Sequence, residues 1–520
     1  MQRSRLTNAV PLAILAKVVG GYFDVMASNL IRDPWIPVRR KDGTRAVIAP
    51  WQMADDGLAF PDWPRPDLNL ACLELLIGLV FLADPPGDAE DWDERQAPDP
   101  ERLRARLEPF APAFDLLGDG QRFCQDREAF EEGVKTPNPP DMLFIDSAGG
   151  QTVRNNADLL VKRDRYPVLE PSLAAMALYT LQNHAPSGGA GNRTSMRGGG
   201  PMLTPVDPGG GLWPLVWANV PDGTPAPLDA LPWMRPTRTS EKGQVVTPED
   251  AHPVEAFFGL PRRLRLVARD GQVVGVVQRP YGTNYAGWLH PLTPYYRQKQ
   301  GTELLPRHPR AGPFGYHNWL GVVARRMKRD DDTARRAAMV DAWSERGRGR
   351  RAEAIVAGWA MDNMKPRDFT FSRAPVIDLP PETAQRMEGM VEAADEVARA
   401  LRGASVAVLD AGEAVDAIRE DFFARTRADF EAHLAKLVRA GADPSAVAES
   451  WLSVLRGTAL GRFDQLSVPG LADHTPQKQA EIASARRMLV SLLNGYGAAG
   501  RRLFDFLDLQ PPEPKKRSSA

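Results

Sequence analysis

The chain has little with which to do covalent chemistry. Only two cysteines, Cys72 and Cys124, occur in 520 residues. That excludes a zinc ribbon and a disulfide framework and points to a reducing, cytoplasmic compartment. The seven histidines are scattered, with no HExxH and no His–Asp doublet. A G-x-S-x-G elbow, a P-loop and a dinucleotide fingerprint are all missing. The expectation is a protein that is not an enzyme and carries no metal and no cofactor. Excess charge of either sign is lacking too, with 65 Lys and Arg against 66 Asp and Glu, so any basic surface must be local. The apolar stretch LTNAVPLAILAKVVGGYF (6–23) is interrupted by Lys17 and too short to span a bilayer. No small-residue cleavage site follows it before Asp24, and Met26 opens MASNLIRDPWIPV, a more natural start, so residues 1–25 read as an N-terminal extension, either translated from an upstream start codon or unstructured, with a targeting element as the other reading.

What is present in quantity is glycine, most of all in NHAPSGGAGNRTSMRGGGP (183–201). The stretch is not a P-loop, since Asn192 follows Gly191 and a proline stands at 186. Glycines let a main chain approach a duplex closely, with peptide N–H groups free for phosphate or base edges, and Arg193 and Arg197 would anchor neighbouring phosphates. A surface turn that merely crosses between elements has the same composition.

The organisation changes once along the chain. From Asn29 to about residue 375 it is rich in Pro and Gly with short β-type runs, which reads as a large, irregular mixed α/β domain within an α+β protein. RRLRLVARDG (262–271) and VVGVVQRPY (273–281) flank Asp270-Gly271 and predict a β-hairpin. LNLACLELLIGLVFLAD (68–84) is apolar nearly all round and predicts a buried helix, and 84–101 reads as an acidic, proline-rich surface loop. After Pro380 four long amphipathic patterns follow. The first puts Met387, Met390, Val391, Ala394, Ala398 and Leu401 on one face and stops at Gly403, and the fourth is broken near Gly495. They predict a C-terminal four-helix bundle. The expected domains are 26–378 and 379–510, with 511–520 a disordered tail.

Other candidate chemistry is thin. Asp330-Asp331-Asp332 follows a basic run and reads as a solvated turn rather than a metal site, and His290 among aromatics and prolines reads as a core histidine. Region 307–351 carries Arg307, Arg310, Arg325, Arg326, Lys328, Arg329, Arg335, Arg336, Arg346, Arg348, Arg350 and Arg351, a local basic patch able to track phosphates. In RGRGRR (346–351) alternating glycine leaves the arginines free to reach a nucleic-acid backbone. A solvated helical face is the plainer reading of the same charges.

Five ordered motifs, NLIRDPWIPVRRKDG (29–43), the 183–201 stretch, FFGLPRRLRL (257–266), GWLHPLTPYY (287–296) and GWAMDNMKPRDF (358–369), resemble the CasA family, the large subunit of the type I-E CRISPR Cascade surveillance complex. The likeness runs from about residue 29 to the end. It implies a mixed α/β domain with a C-terminal four-helix bundle. It also implies a role in antiviral defence: recognising the protospacer-adjacent motif (PAM) of double-stranded target DNA from the minor groove, starting strand separation and R-loop formation, and recruiting a helicase-nuclease. The CRISPR guide RNA reads the sequence beyond the motif.

Carried over by position, the resemblance places motif recognition on Ser187, Gly188, Gly189, Ala190 and Gly191 and on Arg279, whose charge suits a narrow, electronegative groove. A strand-separating wedge falls on Asp362, Asn363, Met364 and Lys365. Ala190 stands where the family has glycine, and Asp-Asn-Met-Lys replaces an Asn-Gln pair. Arg193, Arg197, Arg348, Arg350 and Arg351 would contact phosphates, and Gly149, Gly150, Arg154, Asn155 and Asn156 the 5′ end of the guide RNA. Partners would be the backbone subunit, the small subunits and the guide-RNA 5′-end subunits of a cytoplasmic ribonucleoprotein, with no membrane. Arg425, Arg427, Arg486 and Arg487 are candidates for the small subunits or displaced strand. The alternative is a structural or interaction scaffold that binds RNA or protein through its basic patch.

Overall fold

The computed structural model describes residues 29–156, 158, 163–189, 191–327, 333–409 and 412–512. The expectations for residues 1–25, Ala190, Lys328, Arg329, Asp330–Asp332 and the end of the tail lie outside these. The chain divides into two compact units. One runs to Pro294 and takes in Glu303–Ala311 and Ala337–Pro375. The other comprises Tyr295–Thr302, Gly312–Arg336 and everything from Val376 on. The helical unit therefore begins at Val376 and recruits two segments from before the junction anticipated between 378 and 379.

The first unit opens with a three-stranded antiparallel sheet of β1 (Ile36–Arg40), β2 (Arg45–Ile48) and β3 (Leu58–Pro61), with β1 central. Helix α1 (Pro66–Ala83) is buried almost throughout, as its continuous apolar run requires. It is long and apolar enough to cross a bilayer, but 89% of it is buried inside the protein. The segment expected as a loop at 84–101 is partly helical. Asp88 caps α2 (Ala89–Glu94) by accepting from the Glu90 and Asp91 N–H groups, and Asp99 caps α3 (Pro100–Leu107). Trp92 pins α2 to the core: its indole N–H donates to Trp217 O while that of Trp217 donates back to Trp92 O, at 2.9 and 3.0 Å.

Helices α4 (Gly150–Arg154) and α5 (Pro171–His184) lead to the glycine-rich stretch, and β4 (Val206–Asp207) and α6 (Leu212–Trp217) follow it. The predicted hairpin forms from β5 (Arg263–Arg269) and β6 (Gln272–Arg279), and Asp270 and Gly271 turn at φ 52° and 75°. After α7 (Ala338–Arg346) a second hairpin, β7 (Glu353–Asp362) and β8 (Lys365–Pro375), carries β4 on the outer edge of β7.

The second unit is a bundle of α8 (Pro381–Ser405), α9 (Glu413–Leu437), α10 (Pro444–Ser467), α11 (Pro476–Leu493) and the short α12 (Gly497–Phe506). The six apolar residues expected on one face of α8 are all buried. Gly403 does not stop the helix. It continues to Ser405, whose hydroxyl donates to Leu401 O at 2.8 Å. The break near Gly495 is real: this residue adopts φ 85° between α11 and α12. Tyr316, from the recruited segment, stacks on Phe430 of α9 at 4.1 Å and bonds to Thr426 Oγ1 at 2.8 Å.

Candidate nucleic-acid interface

The glycine-rich stretch is anchored from below by one carboxylate. Glu74 is the only acid in the middle of the apolar run of α1 and is fully buried. Its Oε2 accepts from His184 Nε2 at 2.9 Å, and its Oε1 pairs with Arg197 and lies 3.2 Å from His290 Nε2. Arg197 also reaches Thr293 Oγ1 and Asn183 O, both at 3.3 Å. His290 Nδ1 accepts the Leu292 N–H, so the neutral ring carries its proton on Nε2, toward the carboxylate. Burial pushes Glu74 upward, but Arg197 and the histidines outweigh it and hold the carboxyl well below its ordinary range. Burial, with Arg197 adding to it, pushes His290 down to about 4.

This network corrects one sequence expectation. Arg197 is 1% exposed and cannot reach a phosphate, because its guanidinium is committed to the acid that the apolar helix buries. Arg193 is held as well, donating from Nε to Ser240 Oγ at 2.8 Å. His290 is a packed, core histidine, as expected.

Above the anchor the backbone turns tightly. The Asn192 N–H donates to Gly189 O at 2.7 Å, and Gly189 and Gly191 adopt φ 71° and 81°. Ser187, Gly188 and Gly189 are exposed. The turn is docked on the end of β6: the Tyr281 N–H donates to Gly191 O at 2.8 Å, and a Cβ on Gly191 would stand 2.9 Å from Pro280 Cβ. Arg279, just before these residues, is half-exposed. Its guanidinium sits 4.6 Å above the Phe130 ring and pairs with exposed Glu128 at 2.7 Å. An exposed pair of this kind is worth little and exchanges readily for another anion.

The far end of the same stretch packs on the second hairpin. Cβ atoms on Gly199 and Gly200 would lie within about 3 Å of Met361 and Trp359, and Leu203 exchanges backbone hydrogen bonds with Ala357. The hairpin tip consists of Asp362, Asn363, Met364 and Lys365, all exposed. Its two central residues, Asn363 and Met364, adopt φ 49° and 62°. That conformation is usual for Asn-Gly and costly for methionine. Met364 is 51% exposed, a large apolar side chain held out at a strained tip. One loop thus ties the Arg279 strand end to the Asp362–Lys365 turn.

The remaining arginines are not gathered there. Arg346 is buried against Asp222 and Val220 O, Arg348 pairs with Asp93 at 3.1 Å, and Arg350 bonds to Gln96 Oε1 at 3.0 Å and lies over Trp343. The glycines of RGRGRR let these three wrap around α2 rather than free them, and Arg351 is left exposed. The described arginines of region 307–351 are not all free for phosphate either. They are divided between the two units, Arg336 is 3% exposed, and Arg326 faces Glu388 and Glu392. Gly149, Arg154, Asn155 and Asn156 are exposed around α4, where Asn156 Oδ1 accepts from Arg163 at 2.9 Å. Gly150 opens α4. Arg425, Arg427 and Arg486 pair with Asp421, Glu431 and Asp464, while Arg487 is exposed.

Two residues escaped the sequence reading. Glu74 carried a signal, a lone acid in an apolar helix. Arg262, just before β5, carried almost none: it is 7% exposed and donates to Pro186 O at the base of the turn. Cys72 and Cys124 are buried and form no disulfide, with burial pushing the Cys72 thiol up to about 12. Among the described residues no group of three or more His, Cys, Asp or Glu side chains is arranged to hold a metal ion.

Residues 29–461 match the model of the family described as CRISPR-associated protein Cse1. Three solved structures share the fold. Thermobifida fusca Cse1 has a TM-score of 0.68 at 18% identity, covering 93% of this chain and 99% of that one. A CRISPR-associated protein from Thermus thermophilus has 0.67 at 19%, covering 89% and 99%. A chain of a CRISPR RNA-guided surveillance complex has 0.66 at 15%, also covering 89% and 99%.

Proposed function

The chain belongs to the CRISPR-associated Cse1 family, and from that premise we propose that it is a non-catalytic subunit of an RNA-guided surveillance complex that tests double-stranded DNA for a short flanking motif. One observation carries the reading. The bare turn at Ser187–Gly191, the cation of Arg279 and the exposed tip Asp362–Lys365 are tied to one another through the single stretch 183–201.

Each part has a physical task. Backbone bare of side chains at Gly188, Gly189 and Gly191 can lie against base edges in a minor groove, where Cβ atoms would collide. Arg279 can leave Glu128 for the groove, whose negative potential favours a guanidinium. Met364, exposed at the hairpin tip, can fill the gap left when a base step opens, which lowers the cost of unstacking. The exposed α4 region is the surface offered to the guide-RNA 5′ end and the backbone subunit, and the paired arginines of α9 and α11 mark faces for the small subunits. Recruitment of a helicase-nuclease and a cytoplasmic location complete the proposal. A scaffold acting through a basic patch is disfavoured by the burial of Arg336 and Arg346.

The test is binding of the assembled complex to duplexes that match the guide but vary the flank. The native protein should prefer a few flanks, and Arg279→Ala should weaken that preference by about tenfold. Equal binding to every flank by the native complex would refute the reading.

A further inference from the structure

Three arginines lie close together at the start of β5. Arg263 pairs with Asp126 and, at 2.8 Å, with Glu128, and Arg265 pairs with Glu131 at 2.9 Å. Arg262 is different. Gln182 holds its backbone in both directions at 3.0 Å, its Nη2 donates to Pro186 O, and its buried Nε meets no acceptor. Among the described residues no carboxylate pairs with it.

A buried cation without an anion is unfavourable and is not kept for stability. Burial pushes the Arg262 guanidinium down to about 10, which still leaves it charged at neutral pH. Its surroundings say where a counter-charge can arrive. A Cβ at Gly188 would overlap Arg262 Nη1, so the missing side chain there opens a window from the guanidinium to the exposed face of the turn. The turn adds exposed backbone and no acid, since Ser187, Gly188 and Gly189 form that face.

We propose that Arg262 is the buried floor of a phosphate position: it faces, through Gly188, a backbone phosphate of duplex DNA lying on the exposed face formed by Ser187, Gly188 and Gly189. The inference rests on the reading of this surface as a DNA interface and adds to it a residue that anchors the duplex without reading its sequence. Glycine at 188 leaves access to the charge beneath it.

The experiment measures binding of a fluorescent, guide-matched duplex to the assembled complex across a salt series, with denaturation of the free full chain alongside. Arg262→Met should weaken duplex binding about tenfold, the size of one charge-assisted hydrogen bond. It should also lower the slope of log affinity against log salt by about one, whatever the flank. The free chain should be as stable as the parent or more so, because an unpaired buried charge is gone. Arg262→Lys keeps the charge and should keep the slope, and Gly188→Val, which fills the window above the guanidinium, should lower the slope as Arg262→Met does and serves if the methionine variant folds poorly. An unchanged slope in either Arg262→Met or, where that fails to fold, Gly188→Val would make Arg262 a strut for the turn and overturn the inference. A slope change seen with single-stranded RNA and not with duplex would overturn the DNA assignment. Arg279→Ala separates the two claims. If it alters flank preference while Arg262→Met changes nothing, only this inference falls; if neither matters, the surface has been misread.

Discussion

Replacing Arg197 by methionine tests whether the glycine-rich stretch is held by a buried charge network. Arg197 and Glu74 are 1% and 0% exposed, so the substitution leaves a carboxylate in the core without its main partner. Breaking one side of such a pair costs about 3–5 kcal/mol. The Thr293 and Asn183 contacts, both at 3.3 Å, are long and add little. The loss should depend on pH, with a definite sign. In the native protein the His290 pKa is depressed to about 4 from an unfolded value near 6.5. Its contribution is therefore complete above about pH 6.5 and is lost as pH falls toward 4, on the order of 3 kcal/mol in all. Glu74, also depressed, loses its contribution at still lower pH. In the variant His290, 3.2 Å from the orphaned oxygen, takes up the missing positive charge. Its folded pKa then rises, so its stabilisation is present at low pH and lost as pH increases. The variant should be closest to the parent near pH 4 and furthest from it near pH 8 in urea denaturation. A loss under about 1 kcal/mol at pH 8, joined to weaker duplex binding, would refute the argument and return Arg197 to the phosphate contacts.

Other substitutions probe the exposed elements. Met364→Gly relieves the left-handed turn and should stabilise the free chain by about 1 kcal/mol in thermal denaturation. It should also slow strand opening, read from 2-aminopurine placed next to the flank; an unchanged rate would mean the backbone turn alone parts the strands. Gly191→Ala, at φ 81° and facing Pro280, should cost about 1–2 kcal/mol locally, seen as faster proteolysis of the loop and a loss of flank preference. Arg350→Ala removes contacts to Gln96, Trp343 and Trp92. It should lower stability by about 1 kcal/mol and leave duplex affinity as it was, whereas a flatter salt slope would show that Arg350 reaches phosphate.

The elements legible from sequence were those whose signal is local. The apolar run of α1 has no polar face to expose, Asp270-Gly271 accepts positive φ, and the apolar face of α8 recurs with helical spacing. Local signals also misled. Gly403 stood where a helix could end, yet one glycine costs only about 1 kcal/mol, which the packing of a 25-residue helix absorbs. The acidic 84–101 segment looked like loop, but Asp88 and Asp99 are helix caps and Trp92 buries what they start.

Sequence alone determined that the chain has an irregular α+β half and a helical half and that a glycine-rich stretch stands at 183–201; the two long strands that meet in a turn at Asn363 and Met364 came from the structure. Tertiary structure decided which charges are available. Arginines look alike in a string of letters; burial separates them. Arg197 and Arg346 are spent on buried or half-buried acids, Arg279 is held by an exposed pair and an aromatic ring, and Arg262 is buried with no acid. The reason is that desolvation and pairing depend on what lies across the fold, and Glu74 lies 123 residues from Arg197, Glu128 lies 151 from Arg279, and Asp222 lies 124 from Arg346.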